Sequence, residues 1–360
     1  MIPDQNRFQS DPDQLVGDRP GLPDGWTVGT PDPADRFDVA RLTHLLRAHE
    51  RHGRGWAGSG VDDVLVEVSE RGLQMRENVV VRDASGEIHA WGSVHDRSAG
   101  RMLFVHIVER DLADEVADAC SDVLLAWAEG QARSVGSARG LPAQQIDTGT
   151  FDGDERQARW LREAGYEKVR RWWQMSRPVS PDERDLVPDP DRWETGGVVF
   201  RLVGRSGDGM PDHDDLREVH DVLEGAFVDH FNSSEETFEE FLFRLREDPG
   251  HRWDHWWLGE LLDGDRPQPV GALIGTVSES STGPDGSYVS YLGVLEAARG
   301  RGVAKGLLRT IIADAAARGR DRVGLEVDAD SPTGAAGLYA SMGWTTKYAT
   351  ESWHRDVPVS

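Results

Sequence analysis

Apolar side chains recur at helical spacing from Val303 onward, with Val303, Leu307, Leu308, Ile311, Ile312 and Ala315 on one face. Gly319 supplies the stop. Short apolar runs bounded by turns predict strands at 198–203, 256–261, 270–275, 323–328 and just before the glycines at 293–302. Helical patterns fill 216–245, as two helices, and Asp263-Gly264-Asp265 reads as a turn. The first half gives the same order: a strand at 26–28, helices over 36–69, strands at 79–82, 89–94 and 103–108, then a helix over 114–132.

The two halves also echo each other residue by residue. Arg159-Trp160-Leu161-Arg162-Glu163-Ala164-Gly165-Tyr166 parallels Gly337-Leu338-Tyr339-Ala340-Ser341-Met342-Gly343-Trp344, and each ends a helix on Gly followed by an aromatic. Gln145-Ile146-Asp147 corresponds to Glu326-Val327-Asp328, and Trp172-Trp173-Gln174-Met175 to the closing strand around Glu351-Ser352-Trp353. A divergent duplication is the reading. The expected division is a mobile tail at 1–24, a first domain at 25–177, a Pro- and Asp-rich linker at 178–196 and a second domain at 197–360. The fold class expected is α/β (α+β), with a mixed, mostly antiparallel sheet flanked by helices in each domain.

The strand Leu292-Gly293-Val294 leads through Leu295-Glu296-Ala297-Ala298 into Arg299-Gly300-Arg301-Gly302-Val303-Ala304, a glycine-spaced turn that opens a helix. Such a turn is an anion cradle, because glycine brings backbone N–H groups close to a ligand and the helix start offers unpaired donors and a positive dipole end. A nucleotide-hydrolase P-loop needs Lys followed by Ser or Thr, whereas Lys305 precedes Gly306. A dinucleotide fingerprint needs a third glycine where Lys305 stands, although Asp321 lies at a suitable distance.

The pattern Arg299-x-x-Gly302-x-Ala304 after a strand resembles the acetyl-coenzyme A pyrophosphate loop of the GNAT acetyltransferase superfamily, and Leu338-Tyr339, three residues, Gly343 and Trp344 continue the likeness. The two-domain layout is similar to tandem GNAT proteins of the mycothiol synthase type, in which the first copy has decayed. In the first half the loop position reads Val105-His106-Ile107-Val108-Glu109-Arg110-Asp111, without glycine, and Leu161 stands in place of Tyr339. A scaffold and pocket-wall role is expected for that half.

The resemblance implies two tandem GNAT-like domains, with acetyl-CoA as the cofactor of the second. Leu292, Gly293 and Val294 would meet pantetheine, Arg299, Gly300, Arg301, Gly302, Val303 and Ala304 the diphosphate, and Ser331 the same cofactor. A bulge on this strand would make Val294 and its neighbours the oxyanion donors. Tyr339 takes the place that protonates the departing sulfur, and its phenol is a donor at neutral pH. The glutamate of mycothiol synthase is replaced here by Tyr288, so Glu326, and secondarily Glu279, become the general-base candidates. Asp229 and His230 are candidate acceptor contacts.

His251-Arg252-Trp253-Asp254-His255 lacks zinc-site spacing, and no metal is expected. Trp253, Trp256 and Trp257 read as packing residues. The net charge of -24 argues against nucleic-acid or anionic-membrane partners and suits a cationic small-molecule amine. No apolar stretch reaches membrane-span length, and no signal pattern opens the chain. A cytoplasmic monomer or homodimer is expected. Cys120 is the single cysteine, which excludes an internal disulfide. The activity expected is acetyl transfer to a small amine; the alternative is a catalytically inactive acyl-CoA-binding or regulatory protein.

Overall fold

The computed structural model describes residues 21–69, 72, 76–97, 100–186, 197–207, 209–227, 237–262, 266–280, 283–331 and 334–359. Asp229, His230, the turn at 263–265 and most of the expected amino-terminal tail lie outside them. The chain forms two compact units, residues 1–172 with 348–360, and residues 173–347.

The first unit runs β1 (Thr27–Gly29), α1 (Arg36–Arg54), α2 (Val61–Val68), β2 (Arg76–Arg82), β3 (Ile88–Asp96), β4 (Arg101–Val108), α3 (Asp114–Arg139), β5 (Ala143–Phe151), α4 (Glu155–Glu163) and the start of β6 (Glu167–Pro178). Strands β1 to β4 pair antiparallel in sequence order, and β5 joins β4 in parallel. The parallel step is the one that needs a crossover, and α3 provides it. One face packs on α3 through Val79, Phe104, Leu124 and Ile146, the other on α1 and α2 through Leu42, Val64, Val80 and Trp91. Asp35 caps α1 by accepting from the Phe37 N–H, and Gly55 ends it at φ 88°.

The second unit repeats this plan with β7 (Val198–Leu202), α5 (His213–Phe227), α6 (Phe238–Glu247), β8 (His251–Leu261), β9 (Gln268–Ser278), β10 (Gly286–Val294), α7 (Val303–Ala317), β11 (Arg322–Asp328) and α8 (Ala335–Ser341). Strands β7 to β10 are antiparallel, β10 and β11 parallel. Two clusters enclose the sheet: α7 covers Trp257, Leu273, Val289 and Leu325, while α5 and α6 cover Trp256, Leu258 and Ile274. The duplicated helix ends match atom for atom. Tyr166 N–H donates to the Leu161 carbonyl (2.9 Å) and Trp344 N–H to that of Tyr339 (3.1 Å), with Gly165 and Gly343 both at positive φ.

The break between units falls inside β6, upstream of the proline-rich segment at 178–196. Residues 173–178 lie beside β11 in the second unit. The last strand, β12 (Thr345–Pro358), pairs antiparallel with β5 from Thr350 to Pro358, within the first unit. Each half of the sequence therefore supplies the closing strand of the unit built by the other half. Among the described residues no helix is long and apolar enough to cross a membrane.

Close approach of α7 to the sheet depends on small residues. A Cβ on Gly271 of β9 would lie 2.4 Å from Val303 Cγ1 and 3.1 Å from Leu307 Cδ1. Gly271→Ala is expected to destabilise the protein by about 1–3 kcal/mol, the usual cost of overpacking, and to lower the unfolding midpoint by several degrees in a thermal melt followed by circular dichroism; an unchanged midpoint would contradict this packing.

Candidate functional site

Strand β10 contains the feature that opens the second unit. It pairs with β11 from Ser287 to Val289, while its pairing with β9 runs on to Val294. The register with β9 shifts between Val289 and Tyr291, so Ser290 is the extra residue of a β-bulge. Beyond it, β10 parts from β11, and the inner edge of β10 faces a gap of the shape that an added extended strand would fill. The bulge lies at Ser290, upstream of the expected Val294; the Ser290 hydroxyl meets that of Thr276 at 3.2 Å. Leu292 and Val294 pack at the margin of the α7-side cluster that contains Tyr339, whereas Gly293 faces α5, where a Cβ would come within 2.9 Å of Ala226 and Leu223.

The gap leads to the glycine turn. After a short 3₁₀ turn, Arg299 N–H donates to Glu296 O (3.1 Å) and Arg301 N–H to Ala298 O (3.3 Å). Gly300 and Gly302 have φ of 77° and 74°, a region that suits glycine. A Cβ at Gly300 would meet nothing within 4 Å, so glycine is required there for its backbone conformation and not for space. Gly302 is the N-cap of α7 and brings no side-chain acceptor; the first bond of the helix runs from Gly306 N–H to Gly302 O (2.9 Å). The N–H groups of Val303 and Ala304 are thus at the helix start, where an anion can be held. The side chain of Val303 is buried against β9, which fixes these donors in place. The residues fit a diphosphate and a pantetheine chain.

Tyr339 is buried on α8, its ring centroid 6.1 Å from that of Trp344, and burial pushes its phenol up to about 12. It stays protonated across the physiological range. Ser331 is half-buried in the turn after β11, its N–H donating to Asp328 O at 3.3 Å.

The two carboxylate candidates separate. Glu279 is exposed just past the end of β9 and pairs with Arg252 at 3.4 Å. Ser278 is registered with Gly286 at the opposite end of β10 from Val294, and at ~3.3 Å per residue this sets Glu279 roughly 25 Å along the ribbon from Val294. Glu326 stands on β11 beside the gap. Its carboxylate reaches solvent, yet protein crowds that face, and this desolvation raises its pKa. Gln174 of β6 donates its side-chain amide to Glu326 Oε2, which acts in the opposite direction, and Tyr288 OH donates to Gln174 Oε1 at 3.3 Å. Gly324, opposite Tyr288 in register, makes room for that ring, since a Cβ there would lie 3.0 Å from Tyr288 Cδ2. The site therefore joins Tyr288 to Glu326 through Gln174, a residue that the sequence marked only as part of a closing strand.

The His251–His255 segment takes structural roles. His255 is buried, its Nδ1 2.6 Å from Asp254 and its Nε2 2.6 Å from Arg320, while Trp256 and Trp257 are core residues.

The first unit has the same parting of strands, since β4 pairs with β5 only from Arg101 to Phe104, but its backbone is occupied by side chains. Gln157 donates to the His106 carbonyl (3.0 Å), and Arg156 to those of Glu109 (3.1 Å) and Arg110 (3.3 Å). Arg110 is itself paired with Asp154. Asp114 and Glu115 fill the first turn of α3, so carboxylates stand where α7 offers open donors.

Residues 216–344 match the acetyltransferase (GNAT) family. Comparison with curated proteins yields no match. A GCN5-related N-acetyltransferase from Sphaerobacter thermophilus is similar in structure, with 23% identity, a TM-score of 0.72, and coverage of 94% of this chain and 97% of that one. A tandem GNAT protein from the clavulanic acid biosynthesis pathway shows 12% identity and a TM-score of 0.61 over 93% of this chain and 99% of that one. An N-myristoyltransferase from Saccharomyces cerevisiae, solved with myristoyl-CoA, shows 10% identity and a TM-score of 0.55 over 95% and 83%.

Gly302→Asp tests the cradle, because it puts a side chain into the left-handed region and a carboxylate at the anion position. The expected result is a rise of at least ~10-fold in the acetyl-CoA dissociation constant by calorimetry; unaltered affinity would place the diphosphate elsewhere. Over 216–344 the chain matches the acetyltransferase (GNAT) family, and across both units it has the fold of the GNAT structures compared above, one of them a tandem GNAT protein.

Proposed function

We propose that this protein is an acetyl-CoA-dependent N-acetyltransferase acting on a small polar amine, with its active site in the second unit. The observation that carries the reading is the open inner edge of β10 beyond Val289, which ends at the uncapped start of α7. In the first unit the equivalent backbone is covered by Gln157 and Arg156, which is why the activity is assigned to the second.

Acetyl-CoA supplies the acetyl group as a thioester, and transfer forms the N–C bond of an amide while the C–S bond breaks. Backbone N–H groups between Ser290 and Val294 bind the pantetheine chain and polarise the acyl oxygen. The N–H groups of Val303 and Ala304, with the turn Arg299 to Gly302, hold the diphosphate. Glu326 accepts a proton from the amine nitrogen, and Tyr339 gives its phenolic proton to the sulfur; exchange with solvent restores both. Tyr288, standing where mycothiol synthase has glutamate, leaves the base function to the neighbouring strand. A carboxylate with hydroxyl and amide neighbours suits a hydrophilic amine, and the net charge of -24 draws a cationic one towards the protein.

Release of free thiol from acetyl-CoA in the presence of a panel of amines tests the reading. Amine-dependent turnover is expected, and saturable acetyl-CoA binding with no thiol above hydrolysis would establish the inactive binding protein instead. Tyr339→Phe should lower kcat by ~10²-fold or more while leaving acetyl-CoA affinity intact. Glu326 must be ionised to act, and its folded pKa is raised, so kcat/KM should rise with pH through a value above the ordinary carboxylate range. Glu326→Gln should abolish that limb; a limb that survives in the variant would move the base function to another group.

A further inference from the structure

We propose that Gln174 is a positioning residue for Glu326, held in one amide orientation by Tyr288, and that it sets the pH at which the site becomes active. This rests on the reading of Glu326 as the base. The argument begins with the chemistry of a carboxamide, which has one donor end and one acceptor end. Tyr288 OH donates to Oε1 at 3.3 Å, and the opposite end donates to Glu326 Oε2. A flipped amide would bring its oxygen against the carboxylate, so the two bonds support one another. The three side chains come from three adjacent strands, β6, β11 and β10, with Tyr288 registered against Gly324, two residues before Glu326.

Burial favours the neutral acid, while the Gln174 N–H favours the anion, so the amide holds Glu326 ionised further down the pH scale than its surroundings alone would allow. The bond occupies Oε2 and leaves Oε1 as the oxygen available to the incoming nitrogen. Gln174 from β6 meets Glu326, Tyr288 from β10 meets Gln174, and Asp328 lies two residues along the same strand as Glu326 on the same face. The titratable side chain of α8 is Tyr339, which stays neutral. Helix α7 packs on the opposite face through Val323, Leu325 and Val327.

The experiment compares the pH dependence of kcat/KM in the wild type, Gln174→Leu and Tyr288→Phe, using acetyl-CoA and a turned-over amine, with acetyl-CoA affinity measured alongside. In Gln174→Leu the rising limb should move to higher pH, giving a several-fold loss at acidic pH, while the alkaline plateau stays within about twofold and acetyl-CoA affinity is unchanged. Tyr288→Phe, which removes only a hydroxyl, should shift the limb in the same direction by less. A uniform loss at every pH, or an unmoved limb in both variants, would overturn the proposal. Carboxyl ¹³C NMR titration of Glu326, assigned by its disappearance in Glu326→Gln, separates this from the catalytic reading. If no amine is turned over, that reading fails, yet the Glu326 midpoint must still rise in Gln174→Leu; an unmoved midpoint rejects the positioning role by itself.

Discussion

The parting of β10 from β11 is the constraint on which the second unit is organised. Buried main-chain donors and acceptors are expensive to leave unpaired, so a sheet gives up pairing only where something else takes it over. The bulge at Ser290 changes the course of β10 while it remains bonded to β9, and the parallel contact with β11 ends at Val289. A strand-shaped gap of this kind suits a ligand with amides along its length. In the first unit the backbone at the matching place is bonded by Gln157 and Arg156, so the same topology leaves it covered there by side chains.

Glycine fixes the geometry around that gap in two distinct ways. Gly300 and Gly302 are needed for conformation, because their φ values lie in the left-handed region. Gly271 and Gly293 are needed for space: one lets Val303 and Leu307 seat α7 on β9, the other lets Ala226 and Leu223 bring α5 against β10. The donors at the start of α7 are therefore positioned by packing on the neighbouring strand β9 as much as by the turn itself.

Much of this was legible in the sequence. The α7 stripe from Val303 to Ala315, the glycine turn and the Leu338–Tyr339 segment are local patterns, and they mark the helix, the left-handed turn before it and the short helix that carries Tyr339. The duplicated ends at Gly165 and Gly343 were equally clear, since a helix stop is written in adjacent residues. What could not be read was which strand lies beside which. The segments at 172–175 and 351–353 read as closing strands, but pairing partners are non-local, and nothing in the pattern assigns residues 173–178 to β11 or Thr350–Pro358 to β5. Gln174 and the Ser290 bulge were missed for the same reason, because each exists only in relation to a neighbouring strand.

That exchange of closing strands has a chemical consequence. A β-strand presents alternate side chains to opposite faces, and β6 uses this fully: Met175 joins the apolar cluster under α7 while Gln174 points to the face that carries Glu326 and Tyr288. The segment is thus core on one side and site on the other, and a single-residue slip would bury the amide and expose the methionine. Selection for packing and selection for the polar contact act on the same register. The first half of the sequence, whose own gap is filled, stays tied to the chemistry of the second unit because it writes one of that unit's strands.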